Sequence, residues 1–408
     1  MSFQHHAARI YIWLVSSVAA LLALLLGFIL FGHSSSLPTT PPSASELLIP
    51  TRVGATVATV VPTQVTSLLL TPKFALAPRT KPRPYSVRWR IGIGIPEFNP
   101  LLFAWPAARP GWYLNWAADL GNWATWQKPP GKIQVEPPVT TGVGMEFAPM
   151  IRVKRGKPRI ALAQVAQLAQ ENPGLLWLIG NEPDVRWQDN TTPEAYAIVY
   201  HDLYHQIKRA DPSAQVAIGG ISQVTPLRLA YLERIWTFYH TLYGETMPVD
   251  VWNMHAFVLR EEANSWGVDI PPGFADVQHG VLWEVADHAN LRLVENQVRL
   301  MRWWMAKHQQ RDKPLVITEY GILMPADYGF PPEMVATFMR DSFELLRTLQ
   351  DPMLGYPADH NHLVQRWIWF STRYHLYPTG DLFDETGQPL LLMQTLQAYL
   401  AAYETADD

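Results

Sequence analysis

Residues 175–184 read Leu-Leu-Trp-Leu-Ile-Gly-Asn-Glu-Pro-Asp, an apolar run that stops abruptly at Asn181, Glu182 and Pro183. An apolar stretch with no alternation is what a parallel strand covered on both faces carries. Proline cannot donate to a strand ladder, so the strand ends beside Pro183 and leaves Glu182 on a rigid rim. Residues 315–321 have the same form: Leu-Val-Ile-Thr, then Glu319, Tyr320 and Gly321. Two buried strands that each end on a glutamate predict two carboxylic acids on one scaffold.

Working outward from these two, further apolar or β-rich runs lie at 87–95, 111–116, 144–151, 215–221, 249–257 and 364–371, which makes eight strands in all. Helix-period segments separate them at 160–170, 192–210, 227–242, 281–308, 332–349 and 389–402. Several open on good start signals, such as Thr192-Pro193-Glu194 and Pro331-Pro332-Glu333. Eight strands with crossovers in about 320 residues is the arithmetic of a (β/α)8 TIM barrel, an α/β fold. The alternative is an open doubly wound sheet. Residues 91–96 hold Gly92 and Gly94 but no third glycine and no helix start, so the dinucleotide fingerprint of such sheets is missing.

Composition limits the partners. The 408 residues carry a net charge of −4 with 17% charged residues and no basic run, which argues against nucleic acid. There is no cysteine, so disulfides, thiolate metal sites and cysteine nucleophiles are excluded. The 17 tryptophans fit either a groove that stacks on sugar rings or a large core, and composition does not choose between them.

In a TIM barrel the chemistry sits at the C-terminal ends of the strands. The fourth and seventh strands face each other across the mouth, so Glu182 and Glu319 are expected to converge. Glycoside hydrolysis needs two such carboxyls, one protonated to serve the leaving oxygen and one ionised. Taken singly, each acid could be an ordinary rim carboxylate in a salt bridge. Metal binding by the pair is the weaker option, since His255 alone would join them and tight transition-metal sites generally use more nitrogen ligands. No metal and no cofactor is expected.

With these motifs in view, the chain resembles glycoside hydrolase clan A. The strands GWYLNW (111–116), MEFAPMI (145–151) and WLIGNEPD (177–184) make it most similar to the endo-β-1,3-glucanases of glycoside hydrolase family 128. The resemblance spans most of residues 87–371. It implies Glu182 as general acid/base, Glu319 as nucleophile and Asn181 as the partner of the sugar 2-hydroxyl. It also implies that His255 orients one carboxylate, the competing role being a histidine that caps the core. Trp369, on the same side of its strand as Trp367, would be the platform under the sugar, with Asn115 and Trp116 as subsite residues. Tyr320 is included among the sugar contacts, although alternation turns it away from Glu319. The substrate implied is a polysaccharide or oligosaccharide, with a β-glucan favoured by the family likeness.

One position departs from the clan. Phe257 stands where many members carry a tyrosine whose hydroxyl supports the nucleophile, a bond worth about 1.5–3 kcal/mol. Either another donor serves Glu319, or activity is reduced or absent, and the alternative function is a catalytically inactive carbohydrate-binding barrel at the cell surface. After Phe257 comes a long irregular stretch, 258–280, with Arg260, Glu262 and Trp266, expected to wall the groove.

At the N-terminus, residues 10–31 are 22 residues without a charge, long enough for a membrane-spanning helix. Arg9 precedes this run and no basic residue follows until Arg52, so residues 1–9 are read as a cytoplasmic tail and the rest as extracytoplasmic. A cleaved signal peptide is the alternative, given Ser34 and Ser36. Residues 32–85 form a Pro/Ser/Thr-rich linker, and 86–404 the barrel. The protein is expected to act as a membrane-attached monomer.

Overall fold

The computed structural model describes residues 83–96, 103–118 and 144–407. The apolar run 10–31 and all but the last residues of the linker 32–85 lie outside them, and among the described residues no helix is long and apolar enough to cross a membrane.

The strands occupy the predicted places but are shorter. They are β1 (Ile91–Gly94), β2 (Trp112–Leu114), β3 (Glu146–Phe147), β4 (Met150–Ile151), β5 (Leu176–Asn181), β6 (Gln215–Gly220), β7 (Trp252–His255), β8 (Leu315–Tyr320) and β9 (Arg366–Trp369). The strand expected at 87–95 begins instead with a helical turn, α1 (Val87–Arg90). The Ser86 hydroxyl accepts the Trp89 amide and caps that turn, a local bond that competes with extended backbone. The strand expected at 144–151 is broken into β3 and β4 around Pro149, which has no amide to give the ladder.

Among the described residues six helices lie between or after the strands: α2 (Leu162–Glu171), α3 (Pro193–Ala210), α4 (Pro226–Tyr243), α5 (Leu291–Lys307), α6 (Pro332–Thr348) and α7 (Leu391–Asp407). Thr192 and Thr225 cap α3 and α4, each with proline at the first helical position. The segment expected as one helix over 281–308 starts only at Leu291, where Asn290 accepts the Arg292 amide. The residues before it form a loop with one 3-10 turn at Val285–Asp287.

Among the described residues the named strands pair only in parallel. One sheet runs β3-β2-β1-β9-β8-β7 and the other β4-β5-β6. Parallel bridges Ala217–Val251 and Ile221–Met254 join β6 to β7, and β3 and β4 are two parts of one segment. The order therefore returns on itself, an α/β fold with a barrel-like parallel sheet.

Two apolar layers follow from the strand alternation. Trp112, Leu114, Met150, Leu176, Leu178, Ala217, Val316 and Ile368 form the inner cluster. Trp177, Ile179, Trp252, Met254, Ile317, Trp367 and Trp369 belong to the larger layer under the helices. Arg366 lies on the inner side at the start of β9, over the Trp112 ring at 4.2 Å and bonded to Glu146 at 3.3 Å.

Candidate active site

The end of β5 is shaped by its backbone. Gly180 (φ 89) and Glu182 (φ 42) both adopt left-handed conformations, which cost a non-glycine residue free energy and cluster at functional sites. Two buried carboxylates clamp the tip. Asp189 accepts the amides of Asn181 and Val153, each at 2.9 Å, and the Arg152 Nε at 2.6 Å. Asp184 accepts the Ser222 amide and hydroxyl and pairs with buried Arg228 at 3.2 Å.

The second carboxylate is aimed by a bulge. Met254 pairs with Ile317 but His255 pairs with Glu319, and on the other side Ile317 pairs with Trp367 but Tyr320 with Trp369. Strand β8 therefore carries one extra residue against both neighbours. Strict alternation would send Glu319 to the helix side. The extra residue turns it toward the mouth while Ile317 and Tyr320 stay in the outer layer, a re-aiming that bulges commonly perform beside active sites.

His255 sits between the two acids. Its Nδ1 lies 2.9 Å from Glu182 Oε1 and its Nε2 3.6 Å from Glu319 Oε1. One carboxylate oxygen of each glutamate and one ring nitrogen all lie within 4.8 Å of one another. All three residues are buried. Burial pushes the His255 pKa down, but the charge of Glu319, the hydrogen bond and charge of Glu182 and the charge of Asp184 outweigh it, and the net direction is up.

Glu319 has a further partner. The Trp116 indole N–H donates to its Oε1 at 2.6 Å. Trp116 holds φ 57 at the end of β2, and its ring lies over Gly94. A Cβ on Gly94 would come within 2.7 Å of the Trp116 Cη2, and one on Gly220 within 2.4 Å of the His255 Cδ2. These two glycines leave room for the two groups that touch Glu319. Burial drives the Glu319 pKa up to about 7, with the Glu182 charge adding to the rise and His255, the Trp116 bond and Arg152 opposing it.

The donor set of one imidazole and two carboxylates could also hold a divalent ion, but it is poor in nitrogen for a transition metal. With Nδ1 bonded to Glu182, the arrangement suits holding and moving a proton between carboxyls.

No family model and no curated protein matches the chain. Among solved structures it matches an endo-β-1,3-glucanase of glycoside hydrolase family 128 from Pseudomonas viridiflava at 18% identity and TM-score 0.49, covering 76% of this chain and 97% of that one. A second, from Sorangium cellulosum, has 16% identity and TM-score 0.47, with 77% and 98% covered. A third is an oligosaccharide-binding protein of the same family from Trichoderma gamsii, at 11% identity and TM-score 0.45, with 80% and 99% covered. The chain is similar to glycoside hydrolase family 128. That is the family its strand motifs resemble.

The remaining predicted residues divide. Asn181 is buried beside Glu182, and its Oδ1 has no hydrogen-bond partner among the described residues. Asn115 follows β2 directly and accepts the Ala117 amide at 3.1 Å. Trp369 is not a platform at the mouth. It is fully buried on the helix side, its indole bonded to the Gly380 carbonyl at 2.9 Å and its ring against Tyr320, Phe338 and Phe343. Sharing a side with Trp367 was right, but that side is the outer one. Tyr320 is likewise no sugar contact, being fully buried with its hydroxyl at Ser342 on α6.

The inner side of β9 continues from Ile368 to Phe370, whose ring lies 5.5 Å from Trp116 and 6.3 Å from Tyr377. Burial raises the Tyr377 pKa first, and the charges of Glu182, Tyr374 and Glu319 add to it, so its hydroxyl stands in the field of both acids. Trp187, five residues after Glu182, is 56% exposed with Arg186 stacked on it at 4.1 Å. Phe370, Tyr374, Tyr377 and Trp187 were not anticipated. The only sequence signal for the first three is the aromatic spacing of 370–377.

The stretch after Phe257 is tied to the barrel. Arg228 bonds Glu261 at 3.0 Å and the carbonyls of Val268 and Asp269 at 3.1 and 2.7 Å, while also holding the Asp184 carbonyl at 2.7 Å. One buried guanidinium thus joins the loop after β7 to the loop that carries Glu182.

Proposed function

We propose that the protein is a retaining glycoside hydrolase that cleaves a polysaccharide, with a β-glucan as the substrate class. The observation that carries this reading is the placement of Glu182 and Glu319 at two strand ends, with one oxygen of each within 4.8 Å of the other. Retaining enzymes hold their carboxyls about 5–5.5 Å apart, whereas inverting ones leave about 6.5–9.5 Å for a water. We read the returning parallel sheet as a complete (β/α)8 barrel, with these acids at the catalytic end.

In this reading Glu319 attacks the anomeric carbon and forms a glycosyl ester, while Glu182 gives its proton to the departing oxygen. Glu182, now a carboxylate, takes a proton from water, which attacks the same carbon and releases Glu319. His255 holds Glu182 in line, and Asn181 takes the sugar 2-hydroxyl. Burial by itself would favour Glu319 as the protonated partner. The Trp116 N–H favours its anion, and the clan resemblance gives it the nucleophile's position. Trp116 also supplies a donor in place of the hydroxyl that Phe257 lacks, which supports turnover over binding alone.

The uncharged run 10–31 supports attachment to a membrane, with the barrel on the extracytoplasmic side. The test of the activity is hydrolysis of a β-glucan panel by the full-length chain beside its Glu182→Gln and Glu319→Gln variants. The expected result is release of reducing ends by the unmodified chain alone. Equal rates in all three would refute the proposal.

A further inference from the structure

His201 and His205 stand four residues apart on α3, so their rings lie one above the other on a single face. The ring centroids are 4.4 Å apart. Gly244 closes α4 in the left-handed conformation, φ 71, and turns the chain so that Glu245 comes beside the two histidines. One ring nitrogen of each histidine and one carboxylate oxygen of Glu245 all lie within 4.8 Å of one another.

The surroundings fix this cluster. The His201 ring stacks on Tyr243 at 3.7 Å and 5°. Its Nδ1 lies 2.7 Å from the hydroxyl of buried Tyr239. With Nδ1–H donating to that hydroxyl, the lone pair of His201 resides on Nε2. Metal-ligating histidines are ordinarily held by an oxygen partner at the other ring nitrogen in this way.

We propose that His201, His205 and Glu245 form a binding site for a divalent transition-metal ion, zinc fitting best. Two imidazoles and one carboxylate are a donor set that zinc accepts, with a fourth position left to water. The site lies on the outer helices, at the C-terminal end of α4. Because α4 runs back from the end of β6, that is the end remote from Glu182 and Glu319. A bound ion would clamp α3 to the turn after α4 and would take no part in hydrolysis. The His-x3-His spacing is legible in the chain; its carboxylate partner, forty residues on, is supplied only by the packing of α3 on α4.

The experiment uses the full-length chain, stripped with a chelator and dialysed against zinc chloride, beside the His205→Gln and Glu245→Gln variants. Zinc bound elsewhere, at the N-terminal histidines or at the catalytic acids, cancels in the difference. The unmodified chain is expected to bind one more zinc equivalent than His205→Gln, to bind it at least tenfold more tightly than Glu245→Gln, and to gain melting temperature that neither variant gains. Glu245 is exposed, so its substitution leaves the packing intact and decides the matter if His205→Gln fails to fold. Equal zinc stoichiometry and affinity in the unmodified chain and Glu245→Gln would overturn the proposal.

Discussion

The Trp116 indole N–H, from the end of β2, donates to Glu319 Oε1, from the end of β8, at 2.6 Å. A donor on a carboxylate stabilises its charged form, and in the proposed mechanism Glu319 must be charged to attack. Trp116→Phe keeps an aromatic ring beside Phe370 and removes the N–H together with the five-membered ring that carries it. A hydrogen bond to a charged group is worth about 1.5–3 kcal/mol, so kcat/KM should fall about tenfold to a hundredfold. Loss of the donor should also raise the Glu319 pKa beyond about 7. The acidic limb of the kcat/KM profile should then move to higher pH, which a pH–rate series measures.

Gly94 should reproduce that effect from behind. An alanine Cβ there would lie 2.7 Å from the Trp116 ring, closer than real contacts allow. Gly94→Ala should displace the indole from Glu319 and lower kcat/KM in the same direction. The overpacking should cost about 1–3 kcal/mol of stability, readable in a denaturant titration.

The raised Glu319 pKa also has a stability consequence. Burial lifts it from 4.5 to about 7, so below pH 4.5 the group is protonated in both the folded and unfolded chain. Between these values the unfolded chain releases the proton and the folded one retains it, and stability is lost as pH rises. Glu319→Gln mimics the protonated form. It should melt higher than the unmodified chain at pH 8, by about 1–3 kcal/mol, with the gap closing by pH 4. Thermal melts at the two pH values check this.

The two aromatic sets should separate stability from binding. Trp369 is fully buried under α6, so Trp369→Ala should cost about 3–5 kcal/mol and leave the KM of the surviving folded fraction unchanged. Tyr377 stands near both acids on the rim, and Tyr377→Ala should raise KM severalfold with a small change in melting temperature. Melts and initial-rate kinetics on the same glucan distinguish them.

Much of this was legible in the chain because apolar runs, prolines and terminal glutamates report strand position directly. Strand ends alone marked Glu182 and Glu319 as the paired acids, and the family resemblance added His255 as the residue that orients one of them and Trp116 as a subsite residue. The failures are failures of facing. Trp369 and Trp367 share a side, but nothing local says which side of β9 meets the helices, and there the inner face is set by Arg366, Ile368 and Phe370. Glu319 points to the mouth only because of a bulge that depends on register against β7 and β9. The bond from Trp116 joins residues 203 apart and depends on the left-handed turn of Trp116 and the bare Cα of Gly94. Tertiary packing decides each of these, and local pattern does not encode it.

In the proposed mechanism Glu319 forms the covalent bond and Glu182 moves the proton. A glucoside with fluorine at C2 and a good leaving group forms the glycosyl ester and is slow to hydrolyse, so the intermediate accumulates. Peptide mass spectrometry of the full-length chain after such treatment locates the bond. The predicted result is one added glycosyl mass on the peptide carrying Glu319, absent in Glu319→Gln. A label on Glu182 would reverse the assigned roles, and β-glucan turnover with inverted product and no labelled peptide would contradict the mechanism itself.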